Sequence, residues 1–196
     1  AHRFSIEWSR IEPIEGQFDE KELAHYREVL SALHERGITP FVTLWHWTLP
    51  LWLRDKGGVA SPDFPIYFER YTRHVVNKLH DQVKFWIPLN EPTSVIAGSY
   101  TTGQWPPQKK SYILAYRVYQ ILADAHKRAY HAIHDIDPDA QVGLANLLHS
   151  FEPYHEHSFF DTIMIRFSHF FTNEYFLRLT AGTHDFLTAQ YYFHNR

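Results

Sequence analysis

The alternation of short apolar runs with helical stripes constrains this chain more than any other feature. Five strand-like runs occupy residues 3–8, 39–45, 85–92, 141–147 and 185–192, and a helix-patterned segment lies between each consecutive pair. The first helix has Asp19 as its cap, Leu23, Tyr26, Leu30 and Leu33 at helical spacing, and Gly37 at its end. The second opens at Ser61-Pro62 and carries Phe68, Tyr71, Val75 and Leu79. The third, residues 111–134, buries Leu114, Val118, Leu122 and Ala125, and the fourth runs over 158–180 and stops at Gly182. Such an order implies a parallel sheet with right-handed crossovers. A doubly wound sheet would place a Gly-rich phosphate turn after its first strand, and RIEPIEGQ is not one. The expectation is therefore a TIM (β/α)8 barrel, incomplete over residues 1–196, which form one partial domain. Five strands do not close an eight-stranded barrel, and an open arc exposes two strand edges. The sequence thus reads as the middle of a longer protein, or as a chain completed by another.

The strand ends carry the chemistry. In the first run Phe4, Ile6 and Trp8 fall on one side and Arg3, Ser5 and Glu7 on the other. A polar column inside a barrel is costly unless it reaches a functional mouth, while a wet edge strand would alternate in the same way. The second run leads into His46-Trp47-Thr48-Leu49-Pro50, and the fourth into His149-Ser150-Phe151-Glu152-Pro153. The third stops at Asn90-Glu91-Pro92, a catalytic position in a barrel but equally an ordinary turn.

Composition excludes several classes. Lys and Arg total 19 against 22 Asp and Glu, so there is no electrostatic footprint for nucleic acid. No basic run or long apolar stretch points to a membrane. The absence of cysteine rules out thiolate chemistry. Fifteen histidines invite a metal reading, but HExxH is absent, His155-Glu156-His157 offers too few ligands, and His126, His131 and His134 fit a helix surface. Neither metal nor cofactor is expected. Aromatic residues, at 17%, suit sugar faces and cores alike, and the core is favoured for most. The chain opens at once on strand-like sequence, so a cytoplasmic location is expected, with a leader on a longer parent left open.

Four segments in order carry a resemblance. RFSIEWSRIEP, TLWHWTLPLWL, FWIPLNEP and DFLTAQYY resemble the second, third, fourth and sixth barrel strands of the family 1 glycoside hydrolases, the β-glucosidase and β-galactosidase group. The resemblance implies a retaining β-glycosidase acting on a β-linked oligosaccharide or β-glucoside. It makes Glu91 the general acid/base and Asn90 the partner of the sugar 2-hydroxyl. His46 and Trp47 would contact sugar hydroxyls, and Arg3 and Tyr192 would support the nucleophile carboxylate. Gln190, also read as substrate-binding, stands where the family has Asn, and Thr48 where it has Asp. The family's nucleophile lies in a Thr-Glu-Asn-Gly segment of the seventh strand, which this chain does not contain, so the chain alone is expected to be inactive. Glu7 reads as a mouth or structural carboxylate and Glu152 as a loop residue. The alternative is a catalytically inactive sugar-binding or interaction protein on a degenerate barrel fragment, and a metal-dependent hydrolase is the weakest reading.

Overall fold

Parallel strands that are joined by helices need no hairpins, and here they line up in chain order. A computed structural model describes residues 1–155, 157–192 and 194–195. The strands are β1 (His2–Ser5), β2 (Pro40–Trp45), β3 (Phe85–Leu89), β4 (Gln141–Leu147) and β6 (Phe186–Gln190), in the spatial order β1-β2-β3-β4-β6, all parallel. A second, two-stranded sheet joins β5 (Ser150–Phe151) to β7 (His194–Asn195). Between them run α1 (Trp8–Ile11), α2 (Glu20–His34), α3 (Leu51–Asp55), α4 (Phe64–Leu79), α5 (Pro92–Ile96), α6 (Tyr112–Ile136), α7 (Phe159–His169) and α8 (Tyr175–Leu179). Sequential strand order is that of a barrel arc and not of a doubly wound sheet.

The apolar stripes explain the packing. Leu23, Tyr26 and Leu30 of α2 are buried, as are Phe68, Tyr71, Val75 and Leu79 of α4 and Val118, Leu122 and Ala125 of α6. Trp8 stacks on Tyr71 with centroids 4.6 Å apart and touches Phe64 and Phe68, making an aromatic core behind β1 and β2. On the sheet, Phe41 and Phe85 are register partners and stack at 4.4 Å, and Phe186 meets both edge-on. Residue 143 has to be glycine for this: a Cβ there would come within 2.3 Å of the Phe186 ring.

The sheet is open on its β6 side. Leu187 is 55% exposed, and α7 buries none of its residues although Phe159, Phe160 and Met164 lie on it. This is half a barrel, with one flank uncovered.

Several boundaries differ from the sequence expectation, each for a local reason. The first strand stops at Ser5 because the Glu7 carboxylate accepts the Ser9 N–H (3.2 Å) and starts α1. The second long helix begins at Phe64, not at Ser61-Pro62, since Ser61 instead accepts the Asp63 N–H in a turn. The helix expected over 158–180 is divided into α7 and α8 by a π-helical turn, Phe170–Glu174. The last strand ends at Gln190. His126 is not on a surface: it is fully buried, and its Nε2 lies 2.7 Å from the Thr183 carbonyl. Glu156, which the sequence placed between two histidines, lies outside the described residues. Among the described residues no cluster of His, Asp and Glu is arranged to hold a metal. No helix among them is long and apolar enough to cross a membrane.

One buried charge ties α1 to α4. Glu12 is fully buried and accepts hydrogen bonds from the Trp8 indole (2.8 Å), the Gly16 N–H (2.7 Å) and the Arg70 guanidinium. Removing one partner of such a pair leaves an uncompensated charge. Arg70→Met is expected to cost about 3 kcal/mol in urea unfolding, and adding Glu12→Leu should recover most of it. His126 gives a second test. Burial pushes its imidazole down to about 4, below its unfolded value, so the unfolded chain binds the proton more readily. That stabilisation is complete above about pH 6.5 and is lost as the pH falls toward 4, by about 3 kcal/mol in all. In the same urea measurements, His126→Gln should flatten the fall across that window.

Candidate active site

Strand ends supply the site because the ladder holds each backbone until the last residue. The Asn90 N–H donates to the Trp45 carbonyl at 3.0 Å, on the β2 side of β3. The next N–H, of Glu91, donates to Ala145 on the β4 side at 2.9 Å. Glu91 then takes a left-handed conformation (φ 43°, ψ 60°), and Pro92 opens α5. A non-glycine residue held there is strained, and such strain concentrates at functional sites. The Glu91 residue is only 5% exposed, and its Oε2 accepts the Ser94 hydroxyl at 3.0 Å. Burial raises its carboxyl above the ordinary range, against the Ser94 hydrogen bond and the charge of Arg3.

Arg3 draws four strands together. From β1 its Nε donates to Thr43 of β2 (3.0 Å), one terminal nitrogen to Gln190 of β6 (3.2 Å), and the other to Asn90 Oδ1 after β3 (2.5 Å). Burial lowers its pKa, opposed by the charges of Glu91 and Tyr192. The Gln190 amide also donates to the Tyr192 hydroxyl at 3.2 Å. The polar column read in the first strand therefore does reach a polar mouth.

The His46–Trp47 pair sits beside this group. The Trp47 indole N–H donates to the Asn90 carbonyl at 2.8 Å, and the Trp105 ring lies 4.9 Å from the Trp47 ring. His46 Nδ1 is 3.1 Å from the Ser5 hydroxyl. Burial lowers the His46 pKa, and Arg3 lowers it further against the pull of Glu7, so the ring is neutral near pH 7.

All seven residues read from the sequence thus lie at one mouth. Arg3, Asn90, Gln190 and Tyr192 form one hydrogen-bonded chain, Trp47 joins through Asn90, and His46 stands beside Trp47 with its Nδ1 on the Ser5 hydroxyl. Glu91 stands next to them within the field of Arg3. Sequence reasoning missed Ser94 and Thr43, and named Ser5 only as part of the polar column of the first strand. Ser94 was accessible as the third residue after Glu91, whereas Thr43 follows only from the β1–β2 register. Glu152 stands apart, in the wall of a cavity of about 620 Å³ shared with Ser94, Trp105 and Phe151.

A buried carboxyl of raised pKa can donate a proton. A neighbouring guanidinium, an amide and a neutral imidazole can orient hydroxyl groups around it.

Comparison with known proteins accords with this geometry. The family model described as Glycosyl hydrolase family 1 matches residues 1–194. Beta-glucosidase A of Thermotoga maritima is 37% identical over 174 residues, covering 88% of this chain and 39% of that protein. The cytosolic beta-glucosidase of Homo sapiens is 32% identical over 149 residues, covering 74% of this chain and 32% of its own length. A solved structure of the beta-glucosidase from Thermotoga maritima in complex with deoxynojirimycin superposes with a TM-score of 0.90 at 31% identity. It is covered over 98% of this chain and 50% of its own. The chain thus spans less than half the length of these curated relatives and half of that solved one. On the family match and the shared half-barrel, the chain belongs to glycosyl hydrolase family 1.

Proposed function

We propose that the whole protein is a retaining β-glycosidase acting on terminal, non-reducing β-linked sugars of the glucose type, and that residues 1–196 supply the acid/base half of its catalytic domain. The observation that carries this reading is the Glu91 carboxyl, buried, raised in pKa and set beside the Arg3–Asn90–Gln190 group. A retaining mechanism needs one carboxyl to protonate the leaving oxygen and a second, about 5–5.5 Å away, to attack the anomeric carbon. Glu91 takes the first role. The second carboxylate comes from the remaining barrel segments, in the parent chain or a partner chain.

The other residues divide the remaining work. Arg3 has a half-buried charge among neutral acceptors, which suits it to hold the attacking carboxylate ionised, with Tyr192 as a second donor. Asn90 gives its Oδ1 to Arg3, which assigns Nδ2 as the donor toward the sugar 2-hydroxyl, where a bond that tightens in the transition state lowers the barrier. His46, neutral and engaged at Nδ1, offers Nε2 to a sugar hydroxyl, and Trp47 offers its ring face.

A non-catalytic sugar-binding protein is the second reading. It is favoured by Gln190, whose oxygen and nitrogen are both engaged by protein partners, leaving less of its amide for substrate.

The test is hydrolysis of aryl β-glucosides by the product of the full gene. Glu91→Gln is expected to lower kcat/KM by about 10²–10⁴-fold for a poor leaving group such as phenol. It should cost far less for 2,4-dinitrophenol, whose departure needs no proton. Full activity in Glu91→Gln would overturn the assignment. Glucose binding by the unmodified protein without any turnover would favour the second reading.

A further inference from the structure

Trp47 is held at φ 78°, a left-handed conformation that a bulky side chain adopts only when its surroundings enforce it. The residue that follows shows how. Thr48 is fixed at three atoms: its N–H donates to the His46 carbonyl (3.0 Å), its carbonyl accepts the Trp45 indole N–H (2.9 Å), and its hydroxyl donates to Glu7 Oε2 (2.7 Å). Only the last of these ties the turn to another strand end, 41 residues away in sequence.

Glu7 is itself anchored. Its Oε1 accepts the N–H (3.2 Å) and the hydroxyl (2.7 Å) of Ser9, and its own N–H donates to the Tyr26 hydroxyl at 3.0 Å. The carboxylate therefore has one oxygen fixed to the start of α1 and the other directed at Thr48. Both oxygens are engaged, so Glu7 is not placed to act as a second catalytic carboxylate.

We infer that Glu7 is a positioning residue: through Thr48 it locks the His46–Trp47 turn, and so fixes the Trp47 indole against the Asn90 carbonyl. The line of contacts runs from the β1 end to the β2 end and on to the β3 end, each step a single hydrogen bond: Glu7 to Thr48, then, across the peptide link, Trp47 to Asn90. A hydrogen bond to a carboxylate is shorter and roughly twice as strong as one between neutral groups, which suits it to hold a strained turn. The functional meaning rests on the reading of His46 and Trp47 as sugar contacts. The geometry of the turn does not.

The experiment uses the product of the full gene labelled with ¹⁵N at tryptophan, with the Trp47 indole N–H signal assigned by its loss in Trp47→Phe. Thr48→Val keeps the shape and removes the donor. It is expected to shift the Trp47 indole signal and speed its hydrogen exchange by about tenfold, leaving buried Trp86 unchanged. Thr48→Ser should restore the parent signal, and Glu7→Gln, which keeps an acceptor without charge, should fall between. An unaltered Trp47 signal in both Thr48→Val and Glu7→Gln would overturn the inference. Because no turnover is measured, this result is independent of the Glu91 kinetics that test the glycosidase reading.

Discussion

The guanidinium of Arg3 is the interaction on which the mouth of this half-barrel depends. Its three hydrogen bonds join β1 to β2, to the residue after β3, and to β6, across strands that share no turn. Burial makes that charge expensive, and three oriented acceptors offset part of the cost. The same bonds settle chemistry. They hold the Asn90 amide in one orientation, and they place a positive charge near Glu91, which limits how far burial raises its carboxyl. A guanidinium with a rigid fork of donors can do this, whereas the compact point charge of a lysine cannot reach three acceptors in the same plane.

Around that centre the protein separates two kinds of polar group. Glu12 is buried far from solvent, bonded by Trp8, Gly16 and Arg70, and serves the packing of α1 on α4. Glu91 is buried at the mouth with one hydroxyl partner and keeps the capacity to exchange a proton. Two glutamates of similar exposure thus have different uses because their donors differ. Glu7 is a third case, half-exposed and structural, with both oxygens engaged.

Much of this was legible in the sequence because the two periodicities are distinct. The apolar runs of β2, β3 and β4 and the stripes of α2, α4 and α6 announce a parallel arc, and the residues at the strand ends announce the mouth. What was not legible depends on contacts distant in sequence. The end of β1 at Ser5 is set by a side-chain cap, the Thr43 contact by strand register, and the break between α7 and α8 by a π-helical turn with no clear periodic signal. His126 was accessible after all. Leu122, His126, Ala129 and Ile133 recur at helical spacing and all are buried, so the stripe itself placed this histidine in the core. The uncovered flank has a plainer cause: Leu187 and the apolar residues of α7 face solvent because no described segment packs on them.

Burial holds Glu91 as a proton donor against the opposing charge of Arg3. Titration of its ¹³C-labelled side-chain carboxyl by NMR in the product of the full gene tests this directly. Its pKa is expected above the ordinary carboxylate range, with a further rise in Arg3→Leu as the opposing charge is removed. A Glu91 that titrates in the ordinary range, and does not respond to the loss of Arg3, would contradict it.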